Sequence, residues 1–291
     1  MLDRKGLLSF LAITFGLTYA VEGALILSGF RMDAIPPLYG QLVVAGVMWV
    51  PALATVVTTL WVTREGLGVA NVRLGPLRPY LTSAFTVPAV FAVVYALTWA
   101  LGLGSPDWEL RAFRELMTAG GATVAGPGRS GPVLAGLFAA SLVVGPTING
   151  VFGFGEELGW RGYLLPKLLV LGRWRAHLLV GLLWGLWHAP LVAVGFNYPG
   201  YPVPGILAMM GLTTTMGIYV GEMALRHRSS LLAGWIHGAI NGQAYGIWRL
   251  LFADVNPLLG GLTGVVAMAV WLALGLWVAG APAAIGRRMA G

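Results

Sequence analysis

Long apolar runs separated by short polar breaks fill the chain from one end to the other. A run of about 20 apolar residues is long enough to cross the hydrocarbon core of a bilayer as a helix. Eight such runs stand out, at roughly 7–29, 41–62, 80–102, 132–153, 176–196, 203–224, 231–252 and 261–280. They predict an all-α, polytopic membrane protein of about eight transmembrane helices. No polar stretch between them could build a second core, so residues 1–291 are expected to form a single transmembrane domain. Arg4 and Lys5 precede the first run as they would in a secretion signal. That run is longer than a signal's apolar region and seven others follow, so it reads as a retained helix.

Two of the breaks are more than turns. Residues 63–79 are basic and Gly-rich, as in a surface loop. Residues 103–131 begin with "DWELRAFRELM", which predicts a short interfacial helix with Trp108, Leu110, Phe113 and Leu116 on its apolar side. The following "AGGATVAGPGRSG" has the composition of a flexible linker. No internal repeat is visible, which argues against the duplicated architecture of many transporters.

Composition sharpens this picture. Of the 291 residues 57% are hydrophobic and 10% charged, and the mean hydropathy is +0.79. Soluble domains carry about 25% charged residues. There is no cysteine, which removes disulfides, thiol catalysis and thiolate metal sites. The net charge of +7 would suit nucleic acid if it were gathered in one soluble patch, but it is distributed by side. Arg4, Lys5, Arg64, Arg73, Arg78, Arg161, Lys167, Arg173, Arg175, Arg226, Arg228, Arg287 and Arg288 fall on one side of an eight-span arrangement, whereas Arg31, Arg111, Arg114, Arg129 and Arg249 fall on the other. The bias predicts cytoplasmic termini in a plasma or inner membrane, and it assigns the basic charge to topology and the lipid bilayer rather than to nucleic acid.

Ionisable groups within spans cost several kcal/mol and normally face a protein interior or a cavity. "GFGEELGWRG" therefore stands out, with Glu156 and Glu157 adjacent beside an apolar run. Neighbours on a helix point about 100° apart. Glu157 lies four residues before Arg161, the favourable order for an ion pair, so it is expected to be neutralised. Glu156 is left aimed elsewhere. In "WGLWHAP" Trp184 and His188 share one helical face, and in "WIHGAIN" His237 and Asn241 do the same. A carboxylate, two imidazoles and an amide from three helices can activate water and stabilise an oxyanion, provided the helices pack together. The plainer readings are an interfacial ion-pair cluster for the glutamates, a satisfied polar residue beside Pro190 for His188, and interhelical hydrogen bonding for His237 and Asn241.

In this order the three motifs resemble those of the CAAX prenyl endopeptidase and bacteriocin-processing family of eight-helix intramembrane proteases. The resemblance covers residues 153–243; elsewhere it extends only to hydropathy and span number. It implies that Glu156 and His188 activate the hydrolytic water, that His237 and Asn241 form the oxyanion hole, and that Glu157 and Arg161 support the site. It also implies a membrane-associated peptide or protein substrate, possibly prenylated. Trp184 stands where the family more often has phenylalanine, and Trp160, Trp184, Trp187 and Trp235 are candidates for a substrate cleft. No cofactor is expected. Zinc held by Glu156, His188 and His237 is the alternative, although no His-Glu-x-x-His pattern is present.

Other polar residues are harder to read. Glu22 and Glu222 could each be a packing pair or line a cavity, and His177 and His227, near basic segments, are expected to be solvated. "GRSG" at 128–131 has the look of a serine-protease motif around Ser130, but a turn accounts for it. A non-enzymatic transporter or scaffold is the competing class.

Overall fold

The computed structural model describes residues 2–32, 37–119 and 130–281. Among them there is no β-strand. In hydrocarbon every backbone N–H and C=O must find its partner within the chain, and a helix provides that within one segment. The main helices are α1 (Arg4–Leu27), α2 (Tyr39–Val62), α3 (Arg78–Ala100), α4 (Arg111–Ala119), α5 (Ser130–Leu171), α6 (Arg173–Trp187), α7 (Pro202–His227), α8 (Ser230–Ala244) and α9 (Val265–Gly280). Each of the eight predicted segments corresponds to one of these helices, α4 being the additional interfacial one. Among the described residues, five helices (α1, α2, α3, α5 and α7) are long and apolar enough to cross a membrane by themselves. Helix α9 is a shorter apolar helix. Helices α6 and α8, which carry the two histidine motifs, have 15 residues each.

Local chemistry sets the helix ends. Asp3 caps α1 by accepting the Gly6 N–H at 2.9 Å, and Ser229 caps α8 by accepting the Leu232 N–H at 3.0 Å. Helix α5 was expected to end near residue 153, with Arg161 opening a loop. It continues to Leu171 instead, through π-helical turns at Gly145–Asn149 and Leu158–Leu164. Pro146 in the first turn has no N–H to donate, and widening the turn lets the helix pass it. The glutamate pair thus lies inside a continuous helix, and Arg161 is buried rather than in a loop.

Backbone contact between α8 and α5 forms the centre of the bundle. Gly234, Gly238 and Gly242 recur every four residues along one face of α8. A Cβ on Gly238 would collide with the Gly150 backbone, and one on Gly242 with Gly145. Small residues in register permit this approach. Helix α6 crosses α7 in the same way, with Gly185 against the backbone of Met210. Phe85, Leu207 and Trp277 are exposed on the outer surface of the bundle, as lipid-facing residues are.

The predicted interfacial helix forms as α4, with a different apolar side. Leu110 is buried, while Trp108 lies before the helix and is exposed. Asp107 caps this turn and takes Trp108 out of the helical register. The Leu116 side chain, the linker including Arg129, and Arg287 and Arg288 lie outside the described residues. His177, expected to be solvated, is buried against Glu222. Helix α7 brings that carboxylate to α6, so both predicted outliers form one internal pair. Glu22 is buried on α1 with Oε2 unpartnered.

Candidate active site

Close packing of α5 and α8 brings His237 to the glutamate pair. A Cβ on Gly153 would stand 3.0 Å from the His237 Cβ. With only hydrogen there, the imidazole reaches the glutamate pair. Its Nδ1–H donates to Glu157 Oε1 at 2.8 Å, and its Nε2 lies 4.0 Å from Glu156 Oε1.

Glu157 and Arg161 form the expected pair, with Nη1 donating to Oε1 at 2.9 Å and both side chains fully buried. Positions four apart lie on the same face of a helix, which brings the two side chains together. Helix α7 leaves room for the guanidinium at Gly217, where a Cβ would stand 2.8 Å from Nη2. Arg161 Nε and Nη2 and Glu157 Oε2 have no hydrogen-bond partner within the described protein.

Trp184 connects these groups to the third helix. Its indole N–H donates to Glu156 Oε2 at 2.6 Å, and the Arg161 guanidinium lies 4.1 Å from the ring centroid. The ring is 5.6 Å from that of His237. Its backbone carbonyl accepts the Nδ1–H of His188 at 2.8 Å. A carbonyl can only accept, so His188 carries its proton on Nδ1 and presents an unprotonated Nε2 when neutral. Phe196 lies parallel to the His188 ring, 6.1 Å away, and Tyr245 is the exposed aromatic beyond it.

The contacts therefore join Glu156, Glu157, Arg161, Trp184, His188 and His237 into one cluster from α5, α6 and α8. Asn241 is half-buried one turn beyond His237 on α8. Of the other tryptophans, Trp187 packs edge-on against His188 with ring centroids 4.7 Å apart, and Trp160 and Trp235 make their contacts elsewhere. Trp160 is buried between Phe10 and Trp187. Trp187 donates to Thr18 Oγ1 at 2.8 Å and ties α6 to α1. Trp235 donates to the Tyr80 carbonyl at 3.1 Å on α3. Among the described residues, no three His, Asp or Glu side chains are grouped as a metal ion would require.

Sequence reasoning did not foresee the hydrogen bond from Trp184 to Glu156, the second partner of Glu157, or the parts played by Gly217 and Phe196. The Trp-x-x-x-His spacing could have signalled the first. The others depend on which helices become neighbours.

Fold and site together define an all-α polytopic membrane protein whose ionisable groups converge from three helices on one buried cluster. Residues 132–243 match the family described as Type II CAAX prenyl endopeptidase Rce1-like. CAAX prenyl protease 2 of Methanococcus maripaludis is 37% identical over 93 residues, which is 30% of this chain and 34% of that protein's length. The matched stretch contains all three motifs, so the similarity to that family rests on the same region as the resemblance in the sequence.

Proposed function

We propose that the protein is an intramembrane endopeptidase that hydrolyses a peptide bond in a membrane-associated, possibly prenylated substrate. The observation that carries this reading is the Glu156–Trp184–His188 arrangement with His237 facing the same carboxylate. Glu156 has one oxygen held by the indole N–H and the other directed toward His237. At 4.0 Å the imidazole and carboxylate are too far apart for a direct hydrogen bond, yet close enough to act on one reacting centre.

In the proposed reaction Glu156 takes a proton from water, and His188 Nε2 shares it, as the carboxylate and the neutral imidazole suit general-base work. The water oxygen attacks the peptide carbonyl. His237 and Asn241 donate to the oxyanion, and the proton then passes to the leaving amine. His237 has its Nδ1–H committed to Glu157, so it can donate from Nε2 only as an imidazolium. Glu157, already adjacent to Arg161, is the carboxylate that would balance that charge. Two carboxylates, one guanidinium and one imidazolium leave the buried cluster neutral, which lowers its cost in a poorly polarisable interior. We propose that the reaction needs no metal and that both termini lie in the cytoplasm.

The test is comparative membrane proteomics of cells carrying wild type or Glu156→Ala, followed by assay of the purified protein in liposomes on prenylated and unprenylated peptides. New peptide termini lost in the variant would support a peptidase, and unchanged termini would favour a transporter or scaffold. About one zinc per chain, with activity lost on chelation and regained on zinc return, would replace the water-activation scheme with a metalloprotease.

A further inference from the structure

Arg161 has a second side. Its Nη1 holds Glu157, but Nε and Nη2 are buried without a partner in the described protein. Leaving donors of a charged group unsatisfied is costly, so their retention calls for a ligand or a role. Arg161 lines a cavity of about 140 Å³ together with Asn71, Arg228 and Ser230. Asn71 and Arg228 also line an adjoining and more open cavity of about 410 Å³, which Arg73 and Leu67 complete. Arg73, Arg161 and Arg228 thus line two cavities that share Asn71 and Arg228, and among the described residues no carboxylate lines either one.

Two sharp loop turns border this space. Asn71 and Arg228 both have left-handed backbone angles, which turn the chain sharply at the rim. The Arg73 Nε donates to the Arg228 carbonyl at 2.8 Å, so the two turns are tied together. Beside them, Leu67, Val72, Leu74 and Leu77 are exposed on the same loop. Basic groups alone would suit any oxyanion. Basic groups flanked by exposed apolar side chains, next to the helix ends of a membrane bundle, suit one that arrives on a lipid.

We propose that this pocket is a binding site for a phosphate oxyanion, supplied by the headgroup of an anionic phospholipid and held by Arg73, Arg228 and, at its inner end, Arg161. Arg161 then connects a lipid site to the Glu157–His237 pair. Free inorganic phosphate would offer the same chemistry without the apolar flank.

Protein reconstituted in vesicles containing equal phosphatidylglycerol and phosphatidylcholine is extracted, and its retained lipid is measured by mass spectrometry. Wild type should retain phosphatidylglycerol preferentially. The double variant Arg73→Gln/Arg228→Gln should lose that preference by about thirtyfold, since each charge near an anionic headgroup is worth roughly fivefold. Arg64→Gln, an exposed arginine outside the pocket, should retain it, and thermal melting checks that all variants are folded. Protection against thermal unfolding by inorganic phosphate, lost in the double variant and without lipid enrichment, would keep the oxyanion site but name free phosphate as its source. Equal retention of both lipids by wild type with no response to phosphate would overturn the proposal. So would an equal loss of preference in Arg64→Gln, which would point to general surface charge. Because lipid retention is read without peptide cleavage, its failure is distinct from failure of the peptidase reading.

Discussion

Two clusters around buried glutamates in this protein are built from the same kinds of group and are completed differently. On α7, Glu222 receives both Nε and Nη2 of Arg173 and a hydrogen bond from His177 at 2.8 Å. Arg226 stands 3.7 Å from it and also donates to carbonyls at the end of α9. Both carboxylate oxygens are occupied, and the cluster joins α6, α7 and α9. On α5, the Glu156–Glu157–Arg161 cluster leaves Glu157 Oε2 and two guanidinium nitrogens without hydrogen-bond partners among the described residues. The comparison shows that a buried glutamate with histidine and arginine is not by itself a sign of chemistry. Around Glu222 the groups are saturated and fasten helices together, whereas the α5 cluster keeps donors and an acceptor open.

The sharpest way to break this comparison is to neutralise each carboxylate. Glu156→Gln should lower turnover by about a thousandfold, within the range for loss of a general base, while thermal unfolding shifts little. Retained turnover with a lowered melting point would make Glu156 another fastening. Glu222→Gln should do the opposite. It should cost about 3 kcal/mol of stability by leaving buried His177 and the two arginines short of their anion, with turnover per folded molecule unchanged.

Trp184→Phe tests the link between the helices of the site. The ring volume is largely kept, but the donor to Glu156 is lost, and one charge-assisted hydrogen bond corresponds to about a tenfold fall in kcat. A fall in affinity for substrate with unchanged kcat would reassign Trp184 to the cleft. Glu157→Gln should be milder than Glu156→Gln in the chemical step, and an equal loss at equal stability would show that the two carboxylates do not divide the labour as proposed.

The smallest effect is expected outside the membrane-spanning segments. The Gly6 N–H, helped by the Lys167 ammonium, holds the Asp3 carboxyl below its ordinary value. A lowered value means that its stabilisation is complete above the ordinary carboxylate range and is lost as pH falls through the lowered value. Asp3→Asn should cost under about 1 kcal/mol, because the amide still caps α1 and the ion pair is partly solvated. It should also flatten the acid limb of the stability profile below about pH 4. An unchanged acid limb would show that other carboxylates control it.

Much of this architecture could be read along the chain because its causes are local. Apolar runs predict helices wherever water is absent, and the four-residue spacings already paired Glu157 with Arg161 and put Trp184 on the face of His188. The burial of His177 was not legible, since its partner Glu222 is 45 residues away and becomes a neighbour only when α6 packs on α7. The continuation of α5 past Arg161 was also hidden, because a Gly-rich polar stretch has the composition of a loop until surrounding helices supply its contacts.

The sequence by itself determined the helical class, the membrane setting and the set of groups available for chemistry, since these follow from apolar run length and from spacings within one helix. Only the tertiary structure decided which of those groups face one another. Glycines at 150, 153, 234 and 238 allow α5 and α8 to touch, so His237 reaches both glutamates. Whether a carboxylate is saturated or available depends on the total of its neighbours, and that total is a property of packed helices.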